Sequence, residues 1–299
     1  MINDLRKVEK IAALSKLGRL MHNPLKYVFA IALKDFIYPR RQKEVVVTTD
    51  LFYGNKMKIA LPASTDIYLT SGKSHSSEIR LAKFLIHNLK NGNHFLDIGA
   101  HYGYFTLIAS EMVGNDGLVF SFEPTVKSFS ILADNIALLK NTFGHNKAIS
   151  NTTDNIIFHE FKNLQSEYNS SNIAQFENEE WFRNAPPSKT EVAATTIDVL
   201  VQQTILRPDI IKIDVEGAED KVIQGGINYF QANAPKIVME YLEPKRNNQN
   251  HKIAEKLLLD AGYHTNIIAA DGTLQGVGNI DDYLISHNLE SDNIVFCKR

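Results

Sequence analysis

The chain has 299 residues, of which 44% are hydrophobic and 22% are charged, and its formal net charge is −2. This length and composition are ample for a sizeable core in one large domain, with or without an appendage. A near-neutral balance excludes the overall basic footprint of a nucleic-acid-binding protein, so we predict no nucleic-acid partner.

The chain contains a single cysteine, Cys297, so no disulfide can form within it. The first residues lack the apolar stretch and cleavage site of a signal peptide, and no segment has about 18 consecutive apolar residues. We therefore expect a cytoplasmic protein that spans no membrane, although a secreted protein without disulfides would have the same composition.

Residues 1–43 differ in charge from the rest of the chain. They contain ten Lys or Arg side chains against three acids, a local formal charge of +7. Asn23-Pro24 predicts a helix start, and apolar residues recur at helical spacing until Pro39, where we expect the helix to end. One interpretation is an amphipathic extension in peripheral contact with a membrane. The alternatives are a helical appendage packed on the main domain and an arm that mediates dimerisation.

Residues 44–92 predict a lead-in of short strands and one helix before the main body. The predicted strands are residues 45–47, 57–61 and 67–69, with a turn at Gly54-Asn55. Helical spacing then runs from Ser76 to Leu89, and Gly92 ends it. We therefore divide the chain into a basic helical extension (1–43), this lead-in (44–92) and a ligand-binding α/β domain (93–299).

Predicted strands and helices alternate from residue 94 onward. The strands are residues 94–98, 118–122, 147–149, 210–215, 236–241 and 294–296. The helices between them are residues 105–113, 129–139, 218–224 and 253–259. Because the strands are continuous apolar runs separated by helices, we predict a doubly wound α/β fold, with a mostly parallel sheet covered by helices on both faces. Ligands bind such sheets at the carboxyl ends of the strands.

The most informative segment is a strand that ends in an acid and continues through two glycines into a helix. Asp97 ends the strand, and Gly99 and Gly103 follow with the spacing Gly-x-x-x-Gly, which differs from the Gly-x-Gly-x-x-Gly of dinucleotide sites. A carboxylate at this position would repel a pyrophosphate, which binds at helix N-termini. It suits a ligand with an ammonium group, and S-adenosylmethionine carries both an amino group and a sulfonium.

A second acid ends the next strand. Glu123 follows Gly99 by 24 residues, and an acid about 20 residues beyond a glycine loop accepts hydrogen bonds from a ribose diol in nucleoside-binding α/β folds. The alternative is that Asp97 and Glu123 cap helices or solvate loops. Their positions at the ends of consecutive strands, around the two glycines, favour a ligand site.

A third polar cluster lies in the strand at residues 210–215 and just after it. Alternation places Lys212, Asp214 and Glu216 on one face while the chain stays extended. A lysine in a buried strand is costly without a partner, which Asp214 or Glu240 could supply.

Asp214 lies where this strand leaves toward the ligand crevice. There it could accept a proton from a substrate hydroxyl, hold a metal, or only form an ion pair with Lys212. We take Asp214 as the first candidate for a catalytic base and Glu216 as the second, and we assign no metal ligand. We interpret Glu219 as an acid that starts a helix.

Four segments taken together resemble the FkbM family of methyltransferases. They are residues 97–106, 122–124, 195–198 and 211–219, and their order and spacing match over about residues 60–297. The resemblance implies a class I, Rossmann-like methyltransferase fold, S-adenosylmethionine as the methyl donor and usually a hydroxyl acceptor. It also implies that the loop with Asp97, Gly99 and Gly103 lines the methionine end of the donor, while Glu123 meets the ribose. We include Ala100 and His101 of the same loop among the cofactor-binding residues.

Two positions depart from the family pattern. His101 stands where the family usually carries asparagine, and a histidine can still donate a hydrogen bond. Asn151 stands where the family often carries aspartate near adenine; it could pair with the adenine edge or be an ordinary turn residue. Residues 162–190 are a polar connection long enough to predict a lid or substrate-binding loop. Within it, Trp181 could stack on a sugar face or pack inside the loop.

These observations predict an S-adenosylmethionine-dependent O-methyltransferase that acts on a hydroxyl of a glycan, a glycolipid or a secondary metabolite. One alternative is a non-catalytic protein that binds the nucleoside cofactor or forms a membrane-associated scaffold. Another is an NAD-dependent dehydrogenase, which predicts a dinucleotide glycine pattern that this sequence lacks.

Overall fold

The computed structural model describes residues 1–41, 43–161, 169–171, 182 and 187–298. The described helices are α1 (Ile2–Ala12), α2 (Lys16–His22), α3 (Pro24–Ala32), a π-helical turn (Leu33–Ile37), α4 (Tyr38–Arg41), α5 (Thr65–Thr70), α6 (Ser76–Asn88), α7 (Tyr104–Val113), α8 (Val126–Ile136), α9 (Ile197–Gln203), α10 (Glu219–Gln224), α11 (Ile227–Ala232), a 3₁₀ turn (Pro244–Arg246), α12 (Gln249–Asp260) and α13 (Ile280–Ser286). The described strands are β1 (Val45–Asp50), β2 (Lys56–Leu61), β3 (His94–Ile98), β4 (Leu118–Phe122), β5 (Thr142–His145), β6 (Ala148–Ile149), β7 (Ile156–Glu160), β8 (Ser188–Val192), β9 (Ala194–Thr195), β10 (Ile210–Ile213), β11 (Lys236–Leu242), β12 (His264–Ile268), β13 (Leu274–Gly276) and β14 (Ser291–Cys297).

The main sheet has eight strands in the order β13-β12-β14-β11-β10-β3-β4-β5. The strands from β11 to β5 are parallel to their neighbours, whereas β14 is antiparallel to both β11 and β12, and β13 is antiparallel to β12. The chain moves outward from β3 to β5 and then returns to β10 on the other side of β3. This reversal opens a crevice at the carboxyl ends of β3 and β10. The predicted doubly wound, mostly parallel sheet is confirmed.

Helices cover both faces of this sheet. On one face, α1, α6, α7, α8 and the β1-β2 hairpin share a core with Phe95 of β3. On the other face, α9 to α13 share a core with Leu96 of the same strand. Successive residues of a strand point to opposite faces, so a strand buried on both sides must be apolar throughout. That requirement explains why the sheet strands were readable as continuous apolar runs.

Helix α1 packs on the main body. Its Leu5 and Val8 are buried, and Glu9 forms an ion pair of 2.9 Å with Lys83 of α6. Residues 2–12 are therefore a helical appendage of the core, which is one of the alternatives weighed for the N-terminal extension.

The next helical region begins as predicted but ends later. The Asn23 side chain accepts a hydrogen bond from the Lys26 N–H at 3.1 Å, and Pro24 opens α3. The prediction that Pro39 ends the helix is wrong, because Pro39 is the second residue of α4. Helical residues continue without a break from α3 through the π-helical turn into α4, so Pro39 lacks its N–H just after the π-helical turn, where the regular α-helical hydrogen-bond pattern is already interrupted. Among the described residues, no helix is both long and apolar enough to cross a membrane.

The lead-in contains the predicted hairpin but not its third strand. β1 and β2 pair antiparallel across the turn at Gly54. The residues predicted as a strand at 67–69 lie in helix α5, where the Thr70 hydroxyl donates to the Asp66 carbonyl oxygen at 3.0 Å. An apolar run of three residues shows no periodicity that separates helix from strand, which explains the error.

The third strand of the main sheet was also misplaced. It is β5, whereas the predicted residues include β6, which pairs with β9 in a separate two-stranded parallel sheet. β5 lies at the sheet edge, and its Phe143 is 44% exposed. An edge strand does not need a continuous apolar run, so the more apolar segment nearby was the misleading one.

Candidate active site

A cavity of about 460 Å³ opens at the carboxyl ends of β3, β4, β10 and β11. Its volume is within the range of small-molecule sites, about 300–1,000 Å³. Five of the predicted site residues line it, which are Gly99, His101, Glu123, Asp214 and Glu216. The other four predicted residues are not among those that line it: they are Asp97, Ala100, Gly103 and Asn151.

Asp97 is fully buried beneath the cavity. Its carboxylate accepts a hydrogen bond of 2.6 Å from the Thr106 hydroxyl and lies 3.4 Å from the Lys212 Nζ. The register pairs Asp97 with Ser121 of β4 and with Lys212 of β10. The two acids that end consecutive strands, Asp97 and Glu123, are therefore on neighbouring strands beside one cleft, with Asp97 in the layer below the wall.

The glycine loop depends on a close backbone approach. Gly99 has φ +76°, and a Cβ at this position would lie 1.7 Å from the Asp214 carbonyl oxygen. Gly103 has φ +89° and caps α7, where a Cβ would lie 2.6 Å from Leu132 Cδ1. Only glycine combines these left-handed angles with so little space, so the loop brings the exits of β3 and β10 together.

Glu123 is held at the cavity wall by two backbone donors. Its two carboxylate oxygens accept hydrogen bonds of 2.9 Å from the N–H groups of His101 and Thr125. Burial raises the pKa of Glu123 to about 7, although these two hydrogen bonds oppose the shift. The carboxyl therefore exchanges a proton near neutral pH in the absence of a ligand.

His101 presents a neutral ring to the cavity. Burial lowers the pKa of His101 to about 3, so one ring nitrogen is a donor and the other an acceptor. Its Nε2 atom is buried and has no hydrogen-bond partner among the described residues. An orphaned polar atom in a cavity wall is expected where a ligand supplies the missing partner.

Lys212 of β10 connects the end of its own strand with β3 and the glycine loop that follows β3. Its ammonium lies 3.2 Å from Asp214 and 3.4 Å from Asp97, and it donates a hydrogen bond of 3.0 Å to the Gly99 carbonyl oxygen. Burial alone would lower the pKa of Lys212, but the two carboxylates outweigh that effect and raise it. The structure thus brings Lys212 and Asp214 together as predicted, and it adds Asp97 in place of Glu240.

Three carboxyl groups meet on the β10–β11 side of the cavity. Asp214, Glu216 and Glu240 each place an oxygen within 4.8 Å of the other two. Burial, followed by the charge of Glu240, raises the pKa of Glu216 well above its usual value. Burial, followed by the charge of Asp214, raises the pKa of Glu240 to about 7. Like charges this close cannot all ionise without cost, so the cluster retains protons near neutral pH.

The turn that carries Glu216 is supported from the long polar connection. Glu216 has φ +56°, which is uncommon for a residue other than glycine. The Ser170 hydroxyl donates to the Glu216 carbonyl oxygen at 2.6 Å, while Asn169 and Ser171 line the cavity. The small polar stretch at 169–171 is therefore part of the site. Trp181, and with it most of residues 162–190, lies outside the described residues.

Asn151 and Glu219 are not among the residues that line the cavity. The Asn151 side chain donates to Gln224 Oε1 at 2.9 Å, and its contact with the adenine edge stays a prediction. Glu219 begins α10, accepts from the Gly217 N–H at 3.3 Å and lies 3.4 Å from His251 Nε2. The interpretation of Glu219 as a helix-starting acid agrees with this position.

Several lining residues were not identified as site residues from the sequence. Glu240 was considered only as a partner for Lys212. Other lining side chains carried no motif at all, and they include Asp66, Lys73, His75, Arg246 and Asn293. Asp66 lies in α5, Lys73 and His75 lie in the connection between α5 and α6, and Glu240 and Asn293 lie in β11 and β14. The one available signal was Glu240 itself, an acid inside an otherwise apolar strand.

The strand order and the position of the cavity define a class I methyltransferase architecture, with its cavity at the topological switch between β3 and β10. The model of the methyltransferase FkbM domain matches residues 97–265, which is more than half of the chain. The protein therefore belongs to the FkbM methyltransferase family, and with it S-adenosylmethionine is its cofactor. The resemblance inferred from the sequence motifs is confirmed.

Solved structures with similar folds include other methyltransferases, all of low sequence identity. Precorrin-6y C5,15-methyltransferase from Geobacter metallireducens GS-15 is 13% identical, with a TM-score of 0.41 over 74% of this chain and 88% of that one. Methyltransferase FkbM from Methylobacillus flagellatus KT is 12% identical, with a TM-score of 0.43 over 79% of this chain and 52% of that one. Fibrillarin from Aeropyrum pernix, solved with natively bound S-adenosyl-L-methionine, is 13% identical, with a TM-score of 0.38 over 73% and 74%. No curated protein matches the sequence.

Proposed function

We propose that this methyltransferase transfers a methyl group from S-adenosylmethionine to a hydroxyl oxygen of a glycan, a glycolipid or a secondary metabolite. The observation that carries the proposal is one cavity with two chemically different walls. Gly99, His101 and Glu123 form the first, and the carboxyl groups of Asp214, Glu216 and Glu240 form the second.

The first wall fits the cofactor. Bound S-adenosylmethionine supplies a methyl carbon made electrophilic by the adjacent sulfonium. Glu123 would accept hydrogen bonds from the ribose, and the orphaned Nε2 of His101 would pair with a polar group of the cofactor. Asp97 would act from below: it holds Lys212, and Lys212 in turn fixes the Gly99 carbonyl oxygen. The close approach at Gly99 leaves no room for a side chain in this loop.

The second wall fits a hydroxyl acceptor that must lose a proton. The Asp214 side chain is 38% exposed and faces the cavity, while Lys212 fixes it from behind. We assign Asp214 as the group that accepts the hydroxyl proton and Glu216 as the second candidate. A positioned base contributes about 10²–10⁴-fold to a rate. Because burial and the charge of Asp214 raise the pKa of Glu240 to about 7, the cluster can take up a proton near neutral pH.

The rest of the wall favours a polar acceptor. Asp66, His75, Arg246 and Asn293 add further hydrogen-bonding groups to the lining of the cavity. A molecule rich in hydroxyls can pair with several of them at once, and such contacts orient the reacting oxygen. This lining is the support for the glycan-like acceptor class.

The direct test is a transfer assay. The full chain is incubated with S-adenosylmethionine labelled on its methyl group and with extracts of native glycans, lipids and small metabolites, and labelled products are identified by mass spectrometry. We expect label in a methyl ether. Label on nitrogen or carbon would contradict the acceptor assignment, and a chain that binds the cofactor but transfers no label to any extract would be a binding protein.

A further inference from the structure

The segment between residues 14 and 46, called here the arm, concentrates exposed apolar surface. Among the described residues, eighteen large hydrophobic side chains are exposed, and ten of them lie in the arm. They are Leu14, Leu17, Met21, Leu25, Val28, Phe29, Phe36, Ile37, Val45 and Val46. Single exposed hydrophobic residues need no explanation, but such a concentration marks an interaction surface.

These side chains follow helix faces. On α2, Leu17 and Met21 are one turn apart and are 67% and 73% exposed. On α3, Leu25 and Val28 are 85% and 59% exposed, and Phe29 continues the same face. An amphipathic helix normally turns this face toward the core, so in the arm the usual arrangement is reversed.

The opposite face of α3 holds the helix in place. Ala30 is buried, and the Lys26 ammonium donates hydrogen bonds of 3.2 Å to the Thr49 hydroxyl and 3.3 Å to the Tyr68 carbonyl oxygen. Phe29, which is 41% exposed, lies at the border of the two faces, with its ring 6.0 Å from the Tyr68 ring. The outward direction of Leu25 and Val28 therefore follows from packing that fixes the inner face.

The arm is also strongly basic. Besides Lys26, which is bound on the inner face of α3, its Lys and Arg residues are Lys16, Arg19, Lys34, Arg40, Arg41 and Lys43. Its only acids are Asp35 and Glu44, and Glu44 forms an ion pair with Lys127 outside the arm. Apolar helix faces next to an excess of Lys and Arg are the composition of segments that lie in a lipid interface.

We propose that the arm docks on an anionic lipid surface, with the apolar faces of α2 and α3 among the acyl chains and the basic side chains at the headgroups. Each Lys or Arg near such a surface contributes about fivefold in affinity. A second copy of the chain fits this face less well, because a two-fold contact would bring two arms of like charge together. A nucleic acid would pair with the charges but would leave the apolar faces uncovered.

The test is co-sedimentation of the full chain with sucrose-loaded vesicles. One set contains phosphatidylcholine alone and the other contains added phosphatidylglycerol. We expect binding to the second set, and we expect Leu25→Gln combined with Val28→Gln to weaken it about tenfold or more. Arg40→Gln combined with Arg41→Gln should weaken it about thirtyfold and reduce the preference for phosphatidylglycerol.

Matched controls change the same residue types elsewhere. Leu138 is 94% exposed outside the arm, and Lys90 and Lys140 are also exposed. Leu138→Gln and the pair Lys90→Gln and Lys140→Gln should leave vesicle binding unchanged, while binding of S-adenosylhomocysteine reports that every variant is folded.

Three outcomes would overturn the proposal. The wild type could fail to bind phosphatidylglycerol vesicles. The arm variants could bind them as well as the wild type, which would place the contact elsewhere. Finally, sedimentation velocity without lipid could reveal a dimer that Leu25→Gln and Val28→Gln dissociate, which would assign the face to a second copy.

Discussion

The carboxyl edge of the sheet and the N-terminal arm both depart from the usual distribution of residues. The sheet edge buries ionisable side chains, whereas the arm exposes apolar ones. At the sheet edge, Asp97, Lys212 and Glu123 carry ionisable groups that are at most 6% exposed. In the arm, Met21 and Leu25 are apolar and are at least 73% exposed. Each departure marks a functional region, but the two differ in what they cost the folded chain.

Burying a charge is costly unless partners surround it, so the sheet edge forms a network in which every member depends on others. An exposed leucine contributes no hydrophobic stabilisation to the folded chain, but it does not destabilise a network of neighbours. The apolar side chains of the arm are therefore stabilised only when a partner outside the molecule covers them. Substitutions at the sheet edge should therefore change turnover, stability or pH dependence, whereas substitutions in the arm should change only association.

The largest expected effect is on turnover at the sheet edge. Asp214→Asn should lower kcat by about 10²–10⁴-fold, because the amide cannot accept the hydroxyl proton, while affinity for S-adenosylhomocysteine stays nearly unchanged. Steady-state kinetics and calorimetry measure the two quantities. The matched control is Asp134→Asn, at an exposed aspartate paired with Lys58. Full activity in Asp214→Asn would remove it as the base and leave Glu216 to be tested.

The next effect is on stability. Lys212→Met should lower the free energy of unfolding by about 3–5 kcal/mol, because it leaves the buried Asp97 carboxylate without its cation. Lys58→Met removes an exposed ion pair and should cost no more than about 1 kcal/mol. Urea unfolding of both variants measures the difference. Equal losses would show that the sheet-edge network contributes no more than a surface pair.

The sequence predicted the sheet edge better than it predicted the arm, and the reason is physical. Asp97, Gly99 and Glu123 lie at or just after the carboxyl ends of two buried strands. Because these ends meet at one edge of a parallel sheet, the sequence placed the three residues beside one cleft. Asp97 is nevertheless one layer deeper than expected, because Lys212 and Thr106 already use its carboxylate. A linear pattern shows which strand end a residue occupies, but not which neighbour claims its side chain.

Other residues could not be predicted because no periodicity identifies them. Asp66 and His75 reach the cavity through the packing of α5 and α6 against the sheet. The amphipathic pattern of α3 was visible in the sequence. Such a pattern identifies the apolar face of the helix, but it does not show whether that face packs on the core or is exposed. The structure shows that the apolar face of α3 is exposed, because Ala30 and Lys26 on its opposite face pack on the rest of the chain.

A smaller effect concerns pH. Burial raises the pKa of Glu123 to about 7 from a usual value near 4.5. The contribution of Glu123 to the free energy of unfolding is largest below about pH 4.5, where the carboxyl is protonated in both the folded and the unfolded protein. It is lost as pH rises through about 7, because the unfolded chain ionises first. Glu123→Gln should therefore reduce the fall in unfolding free energy between these values by up to about 1.4 kcal/mol per pH unit.

Urea unfolding at a series of pH values measures this slope. Glu191→Gln changes an exposed glutamate and should leave the slope as it is in the wild type. If Glu123→Gln also leaves the slope unchanged, the carboxyl is ionised in the folded protein at lower pH than its burial implies, and the electrostatic account of this wall is wrong.

The smallest effect belongs to the arm. Leu25→Gln should change the free energy of unfolding by no more than about 0.5 kcal/mol, since the side chain is 85% exposed. Thermal or urea unfolding without lipid measures it. A loss of several kcal/mol would mean that Leu25 is covered in the free protein, and the contrast between the two regions would disappear.

The central claim is that the loop after β3 and the acid after β4 form one cofactor wall, and calorimetric titration tests it most directly. The wild type should bind S-adenosylhomocysteine at one site per chain and should not bind NAD, and Gly99→Val should abolish binding because its side chain would meet the Asp214 backbone. Binding of NAD, or no binding of S-adenosylhomocysteine by the folded wild type, would contradict the account.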